Sequence, residues 1–348
     1  MYSDSTHFVY EILQNADDHG ASEVQFRLDE AGITIEHDGQ PFTKENVDAI
    51  TYFGKSTSRD DLVKAGRFGV GFKSVFTFTA TPIIISGDEH FRIYGLYRVT
   101  EHPYPAGLPK TRTRIILPFN HEVERPDFVE EIIPADEAFR KIEARLVDLN
   151  MTTLLFTQNI REIRWEVSER TGHYLREDNK EGIARLTTIT DGEELRKYLV
   201  FARTPTWRNE DHKAVEIAFG LDEKGEVMSL EEPLFVLFST TQETDLQFML
   251  NGPFRTNPSR ENISHDDRFN LFLLRETAEL LKSALPGLRD SGYLTPQFLG
   301  VLPNSGDDLK EFYRTVREAA LEAFREEPLV PTDTGGFSPA NLTFQGPA

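Results

Sequence analysis

The segment EVQFRLDEAGITIEHDG, residues 23–39, limits the fold more than any other stretch of the chain. Val24, Phe26 and Leu28 alternate with polar neighbours before a turn at 29–32, and Ile33 and Ile35 resume the alternation after it. That is the period of strands half buried against a core. Two strands joined by so short a turn pair antiparallel, because parallel neighbours need a crossover of about a dozen residues. A helical pattern over residues 5–18 precedes them. Asp4 is its expected N-cap, Phe8, Ile12, Leu13 and Ala16 form its apolar side, and Gly20 stands where it stops. With further strand-like runs at 82–86, 92–99 and 112–117, the order predicts an α+β sandwich and not an alternating βαβ sheet.

The chain has 348 residues, of which 39% are apolar and 26 are Phe, enough for about two domains with real cores. Residues 40–65 are polar and weakly periodic, and are expected to form a mobile segment. The acidic, proline-bearing stretch NHEVERPDFVEEIIP is read as a domain boundary. The expected division is therefore 1–122, a second α+β domain at 123–290, and a helical segment at 291–348. Strand-like TTLLFTQNIREIRWEV, YLVFART, AVEIAFGL, LFVLFST and LQFML fill the second domain, and helical patterns cover 268–285 and 307–325. The last pattern sets Leu309, Phe312, Tyr313, Val316, Ala320 and Phe324 at helical spacing, as a core or partner-packing stripe.

The net charge of −20 argues against broad binding to nucleic acid or anionic membranes. No window approaches the roughly 18 uninterrupted apolar residues of a membrane span, and no signal-peptide pattern opens the chain. Cysteine is absent, which excludes disulfides and thiolate metal sites and fits a reducing compartment, so a cytoplasmic location is expected. One region runs against the global charge. Lys55, Arg59, Lys64, Arg67 and Lys73 face only Asp60 and Asp61 over 19 residues, which suits a small anionic ligand or an ordinary solvated charge run.

That basic region surrounds GRFGVGFKSVF, residues 66–76, a glycine-rich loop leading into an apolar stretch. Such a loop can turn backbone N–H groups toward an anion. It lacks the G-x-G-x-x-G of a dinucleotide fold. The G-K-S of Gly54–Ser56 is no Walker loop either, since Ala49 stands where that loop needs glycine. In the first helix Glu11, Asn15 and Asp18 are spaced i, i+4 and i+7 and share a face, read as opposite Phe8 and Ile12. An amide oxygen at Asn15 suits a hard divalent cation, and a carboxylate one turn earlier suits activation of water. The same face is equally the wet side of an amphipathic helix. Asp38-Gly39, taken alone, is ordinary turn chemistry.

Together, EILQNADDHGA, HDGQPF and GRFGVGFKSVF, in this order and spacing, resemble the motifs of the Bergerat-fold (GHKL) ATPases. These include gyrase-type topoisomerases, the ninety-kilodalton heat-shock chaperones, histidine kinases and MutL. The phrasing over residues 2–119 is most similar to the sacsin-type branch. The resemblance implies ATP and Mg²⁺ as cofactors, with Glu11 as general base, Asn15 as magnesium ligand and Asp18 closing the first motif. It further implies Asp38 as acceptor of the adenine amine, Gly39 beneath the base, and Thr113 reaching toward that aspartate. Gly66, Gly69 and Gly71 would face the phosphates, with Lys55, Val70 and Phe72 as further nucleotide-binding residues. LNGPFRTNPSRENI, residues 250–263, is similar to a chaperone middle-domain loop whose arginine, here Arg260, reaches the γ-phosphate; a structural Arg–Glu pair is the plain alternative.

Two departures stand out: D-x-G-x-G is reduced to Asp38-Gly39-Gln40-Pro41, and little chain precedes Glu11. The sequence is accordingly read as shortened at its N-terminus, which would weaken lid exchange or homodimer contacts. The function implied is slow Mg-dependent ATP hydrolysis driving a conformational switch, in protein quality control or a bacterial defence system, with a protein client or partner. A non-hydrolysing nucleotide-binding scaffold is the alternative. A histidine kinase would need a phosphoacceptor helix that the chain does not offer, and a DNA role would need a basic groove.

Overall fold

A computed structural model describes residues 5–51, 72–95, 98–125, 129, 131–179, 183–188, 194–257 and 261–343. The chain is α+β and separates into two compact units. One holds residues 2–176 and 186–194, the other residue 1, 177–185 and 195–348.

In the first unit, helix α1 (Phe8–Asp18) follows a 3₁₀ turn at Ser5–His7 and buries Phe8, Val9, Ile12, Leu13 and Ala16. Gly20 has φ 73°, the left-handed conformation that commonly ends a helix. The expected cap, Asp4, lies outside the described residues, and His7 holds the N-cap position. Strands β1 (Glu23–Asp29) and β2 (Gly32–His37) pair antiparallel with Phe26 opposite Ile35, as the alternation predicts. Helix α2 (Lys44–Thr51) occupies part of the stretch expected to be irregular. Its start is fixed by Thr43 and Asn46, each accepting the other's backbone N–H at 2.8 and 3.4 Å, while Val47 and Ile50 are buried.

Strands β3 (Ile83–Ser86), β4 (Glu89–Tyr94), β5 (Arg98–Glu101) and β6 (Thr113–Pro118) extend the sheet in the order β2-β6-β3-β4-β5, all antiparallel. The single strand expected over 92–99 is interrupted: Gly95, at φ 54°, lies in the connection between β4 and β5.

The first unit continues well past residue 122, and hydrogen bonds give the reason. Asn120 Oδ1 accepts from the Ala80 N–H at 2.9 Å, and its amide donates to Thr81 Oγ1 at 2.8 Å. His121, buried, lies between the Phe76 carbonyl and the Ile133 N–H. The stretch read as a boundary is thus tied to this unit. Helix α3 (Ala135–Asp148) packs against β1, burying Ala138, Ile142 and Leu146. TTLLFT, expected as strand, is wholly buried and begins with a 3₁₀ turn at Met151–Leu154, capped by the Asn150 side chain. Strand β7 (Glu162–Val167) then runs parallel to β1, and β8 (Arg170–Asp178) antiparallel to β7.

In the second unit, β9 (Glu194–Arg203) pairs antiparallel with β10 (Val215–Leu221). The run LFVLFST divides into β11 (Pro233–Val236) and β12 (Phe238–Glu243) at Leu237, whose φ is 69° and whose N–H donates to Asn251 Oδ1 at 2.8 Å. Strand β13 (Met249–Asn251) lies between β10 and β11. Helices α4 (Arg268–Asp290) and α5 (Arg314–Glu326) pack together, and α4 covers β10. Helix α4 continues through Pro286, past the expected end, and buries Leu288. The stripe from Leu309 to Ala320 joins this core and Phe324 packs on it. The C-terminal segment is only partly helical, since Val330–Pro331 and Phe337–Ser338 form a small ribbon.

Candidate functional site

The site grows from the junction between the end of α1 and the exit of β2. The Gln40 N–H donates to the His19 carbonyl at 2.8 Å. The Asp38 carboxylate accepts from the Ser22 N–H (2.8 Å), the Ser22 hydroxyl (2.5 Å) and the Glu23 N–H (3.0 Å). Asp38 therefore ties the α1–β1 connection, and the lining of the cavity beside it does not include its side chain. Strand β2 sends Ile33, Ile35 and His37 inward and ends at His37, and Asp38 follows it at the exit. His37 is the inward group, and the same alternation that placed the hairpin could have identified it.

The cavity is lined by Ile12, Asn15, His37, Phe42, Phe72 and Ile115. Its volume is about 10 Å³, room for roughly one water, so a larger ligand must displace part of its wall. His37 is 3% exposed, and its Nδ1 accepts the Gly39 N–H at 3.2 Å. Burial, and secondarily His19, lower its pKa from 6.5 to about 4 against the opposing pull of Asp38, so the ring is neutral at pH 7. The space at Gly39 is tight, because a Cβ there would lie 3.1 Å from that same Nδ1, from the Ala21 nitrogen and from the His19 oxygen. Thr113 is the cross-strand partner of His37, and its Oγ1 is 2.5 Å from Ser86 Oγ, which accepts the Phe42 N–H. A hydroxyl pair thus fixes the backbone of the cavity wall.

Helix α1 presents Ile12 and Asn15 together to the cavity, so Ile12 is not opposite Asn15 as read from the pattern. Among the described residues the Asn15 side-chain amide makes no hydrogen bond. Glu11 is not a solvated residue, being 4% exposed. Asp18 is exposed, and its neighbour Asp17, which the motif reading passed over, is fully buried. Asp17 Oδ1 accepts from Asn159 N–H (2.7 Å) and Ile160 N–H (3.0 Å), and Oδ2 from Gln158 N–H (3.0 Å). It therefore fastens the end of α1 to the segment leading into β7. No sequence spacing links position 17 to position 160.

Phe72 is a cavity wall, while Lys55, Gly66, Gly69, Val70, Gly71 and Arg260 lie outside the described residues. The loop that carries Arg260 is anchored by Asn270, which accepts the Arg255 N–H (2.7 Å) and donates to the Arg255 and Ser264 carbonyls. Arg255 itself lies over the Phe269 ring at 4.8 Å and pairs with Asp267 at 3.4 Å. Among the described residues no three His, Asp or Glu side chains are grouped to hold a metal, and no helix is long and apolar enough to cross a membrane.

Residues 35–95, which include His37, Gly39 and Phe72, match the sacsin domain family. The chain is 27% identical over 321 residues to Protein NO VEIN of Arabidopsis thaliana, covering 82% of this chain and 11% of that protein. Against human sacsin the identity is 34% over 105 residues, 25% of this chain and 2% of that protein. The chain thus spans a small part of the relatives it matches. The crystal structure of the N-terminal domain of a DNA repair protein is 13% identical, with a TM-score of 0.43 over 84% of this chain and 96% of that one, too slight a likeness to carry an argument. Sequence and domain match agree on a sacsin-like relationship.

Proposed function

We propose that the first unit binds a Mg²⁺–nucleoside triphosphate and hydrolyses it slowly to drive a conformational switch. The observation that carries this reading is the convergence on one cavity of Asn15, with its uncommitted amide, and the buried ring of His37, with Glu11 buried one turn before Asn15 on the same helix. One amide oxygen is a poor metal site alone. It suits Mg²⁺ arriving on phosphate oxygens and keeping several of its waters, which is how Mg²⁺ commonly binds. Bound there, the ion would neutralise charge on the phosphates.

Asn15 would position the ion, and Glu11 would take the proton of the attacking water as its oxygen bonds to the terminal phosphorus and the bridging oxygen departs. The family motif supports the further assignment of the 66–71 amides to the phosphates, and the S-R-E loop that of Arg260 to the γ-phosphate on closure. The larger size of the sacsin-like relatives suits a switch module acting on a protein partner.

Calorimetry with Mg·ATP, paired with steady-state phosphate release, tests the reading. Asn15→Ala should weaken Mg-dependent binding by about tenfold or more, the loss of one hard ligand. Glu11→Gln should bind normally and release no phosphate, because a general base acts in the transition state. Absence of Mg·nucleotide binding to the wild-type protein would overturn the proposal. Binding without release above background would leave the scaffold function in its place.

A further inference from the structure

Strand β5 ends the sheet of the first unit. Among the described residues its one strand neighbour is β4, and Arg98, Val99, Thr100 and Glu101 are all exposed. The phase of the β4–β5 ladder shows which backbone groups remain open. The His102 N–H donates to the His90 carbonyl at 3.0 Å, and the Ile93 N–H points the other way, to the Pro82 carbonyl at 2.9 Å. Bonded and non-bonded pairs alternate in an antiparallel ladder, so Arg92–Thr100 and Tyr94–Arg98 are bonded pairs and Ile93–Val99 is not. The N–H and C=O groups of Val99 and Glu101 therefore point away from β4, toward the open edge. Such an edge is a template for a further strand.

One face of the same hairpin is basic. Parity puts His90, Arg92 and Tyr94 on the side opposite the buried Phe91 and Ile93, with Arg98, Thr100 and His102 beside them and no carboxylate in that set. Arg92 Nη1 donates to the Tyr94 hydroxyl at 3.3 Å, and its Nε is buried without a partner. Among the described residues no carboxylate pairs with Arg92 or Arg98. Elsewhere in this sheet arginines are matched, Arg112 by Glu23 and Arg114 by Glu36. Burial, and then Arg92 and His90, hold the pKa of His102 below its usual 6.5, as expected where cations face one another. In a chain of net charge −20, this face lacks its counter-charge.

We propose that the β5 edge binds an extended acidic peptide as an added strand, with its backbone on Val99 and Glu101 and its carboxylates on the Arg92–Arg98 face. Side chains alternate along a strand, so the peptide residues opposite Arg98, Thr100 and His102 share that face and should be Glu or Asp. The residues between them lie beside Val99, itself 42% exposed, and Glu101, and should be apolar or uncharged. A nucleic acid would meet the charge but has no peptide backbone to continue the ladder. The site uses none of the residues assigned to the nucleotide, so it stands independently of that reading.

Fluorescence anisotropy of a labelled Glu-Val-Glu-Val-Glu peptide, titrated with the full chain, tests this beside a Lys-Val-Lys-Val-Lys peptide and oligothymidylate. The acidic peptide should bind, and the lysine peptide should bind about tenfold more weakly or not at all. Arg98→Glu, at an exposed position, should weaken the acidic peptide by about tenfold or more. Val99→Pro removes an N–H that β4 does not use, so the protein should melt normally and lose the peptide. Hydrogen exchange at the Val99 and Glu101 amides should slow when the peptide is bound. No binding of the acidic peptide to the wild type, equal binding of the lysine peptide, or unchanged affinity in Arg98→Glu would overturn the proposal. Binding that survives in a folded Val99→Pro protein would refute strand addition. So would unprotected Val99 and Glu101 amides in the wild-type complex, a readout that holds even if the proline variant does not fold. Oligothymidylate binding as tightly as the acidic peptide would put a nucleic acid in the peptide's place.

Discussion

Asp17 offers the sharpest test of how the first unit is held together. It sits in the last turn of α1, where the helix dipole disfavours a negative charge by about 0.3–1 kcal/mol. Removing a carboxylate from such a position should by itself stabilise slightly. The structure predicts the opposite sign, because Asp17 accepts three backbone N–H groups from residues 158–160. Ile160 is buried, so its N–H loses the Asp17 acceptor in Asp17→Ala, at about 1–3 kcal/mol. Gln158 and Asn159 are exposed, and their N–H groups recover water at a net loss of about 0.5–1.5 kcal/mol each. With the dipole gain subtracted, Asp17→Ala should thus destabilise by about 1–6 kcal/mol.

Asp17→Asn separates this account from a general charge effect. Its oxygen can still accept from Asn159 and Ile160, and only the Gln158 N–H meets an amide NH₂, so the loss should be about 1–2 kcal/mol. Urea titration of the three proteins supplies the free energies, and hydrogen exchange at the Ile160 amide locates the effect. An Asp17→Ala protein within about 1 kcal/mol of wild type, or an Asn variant as unstable as the Ala variant, would refute the reasoning.

Three other outcomes are expected. Asp38→Asn should lower stability by about 1 kcal/mol through the α1–β1 connection and leave nucleotide affinity unchanged in calorimetry, since its carboxylate serves Ser22 and Glu23. Because the folded pKa of His37 is lowered to about 4, its contribution is complete above pH 6.5 and is lost as pH falls toward 4. The urea-derived stability difference between wild type and His37→Gln should accordingly change by up to about 3 kcal/mol across that window, and a pH-independent difference would contradict a buried neutral ring. Gly172→Val should displace Trp165, whose Nε1 lies 1.9 Å from where a Cβ would be, and a red-shifted tryptophan emission would register it; unchanged emission with unchanged stability would contradict the packing.

Local pattern alone determined the elements closest to the site. Alternation from Val24 to His37 specified a hairpin, its turn and its buried face, because side-chain direction in a strand depends only on parity. Helix α1 and its stop at Gly20 were equally legible, since amphipathic spacing and a glycine terminator act within a few residues. The motifs at Glu11, Asn15 and the glycine loop likewise carried the family likeness in their spacing. Tertiary structure decided what depends on pairing across distance. The parallel β1–β7 pair draws residues 162–167 into the first unit although an acidic, proline-bearing stretch had suggested a break long before. Asp17 could be told from Asp18 only once the N–H groups of 158–160 lay against it. The proton on His37 has a similar origin: sequence supplies the imidazole, but which nitrogen carries the hydrogen follows from one backbone amide, and burial keeps the ring neutral.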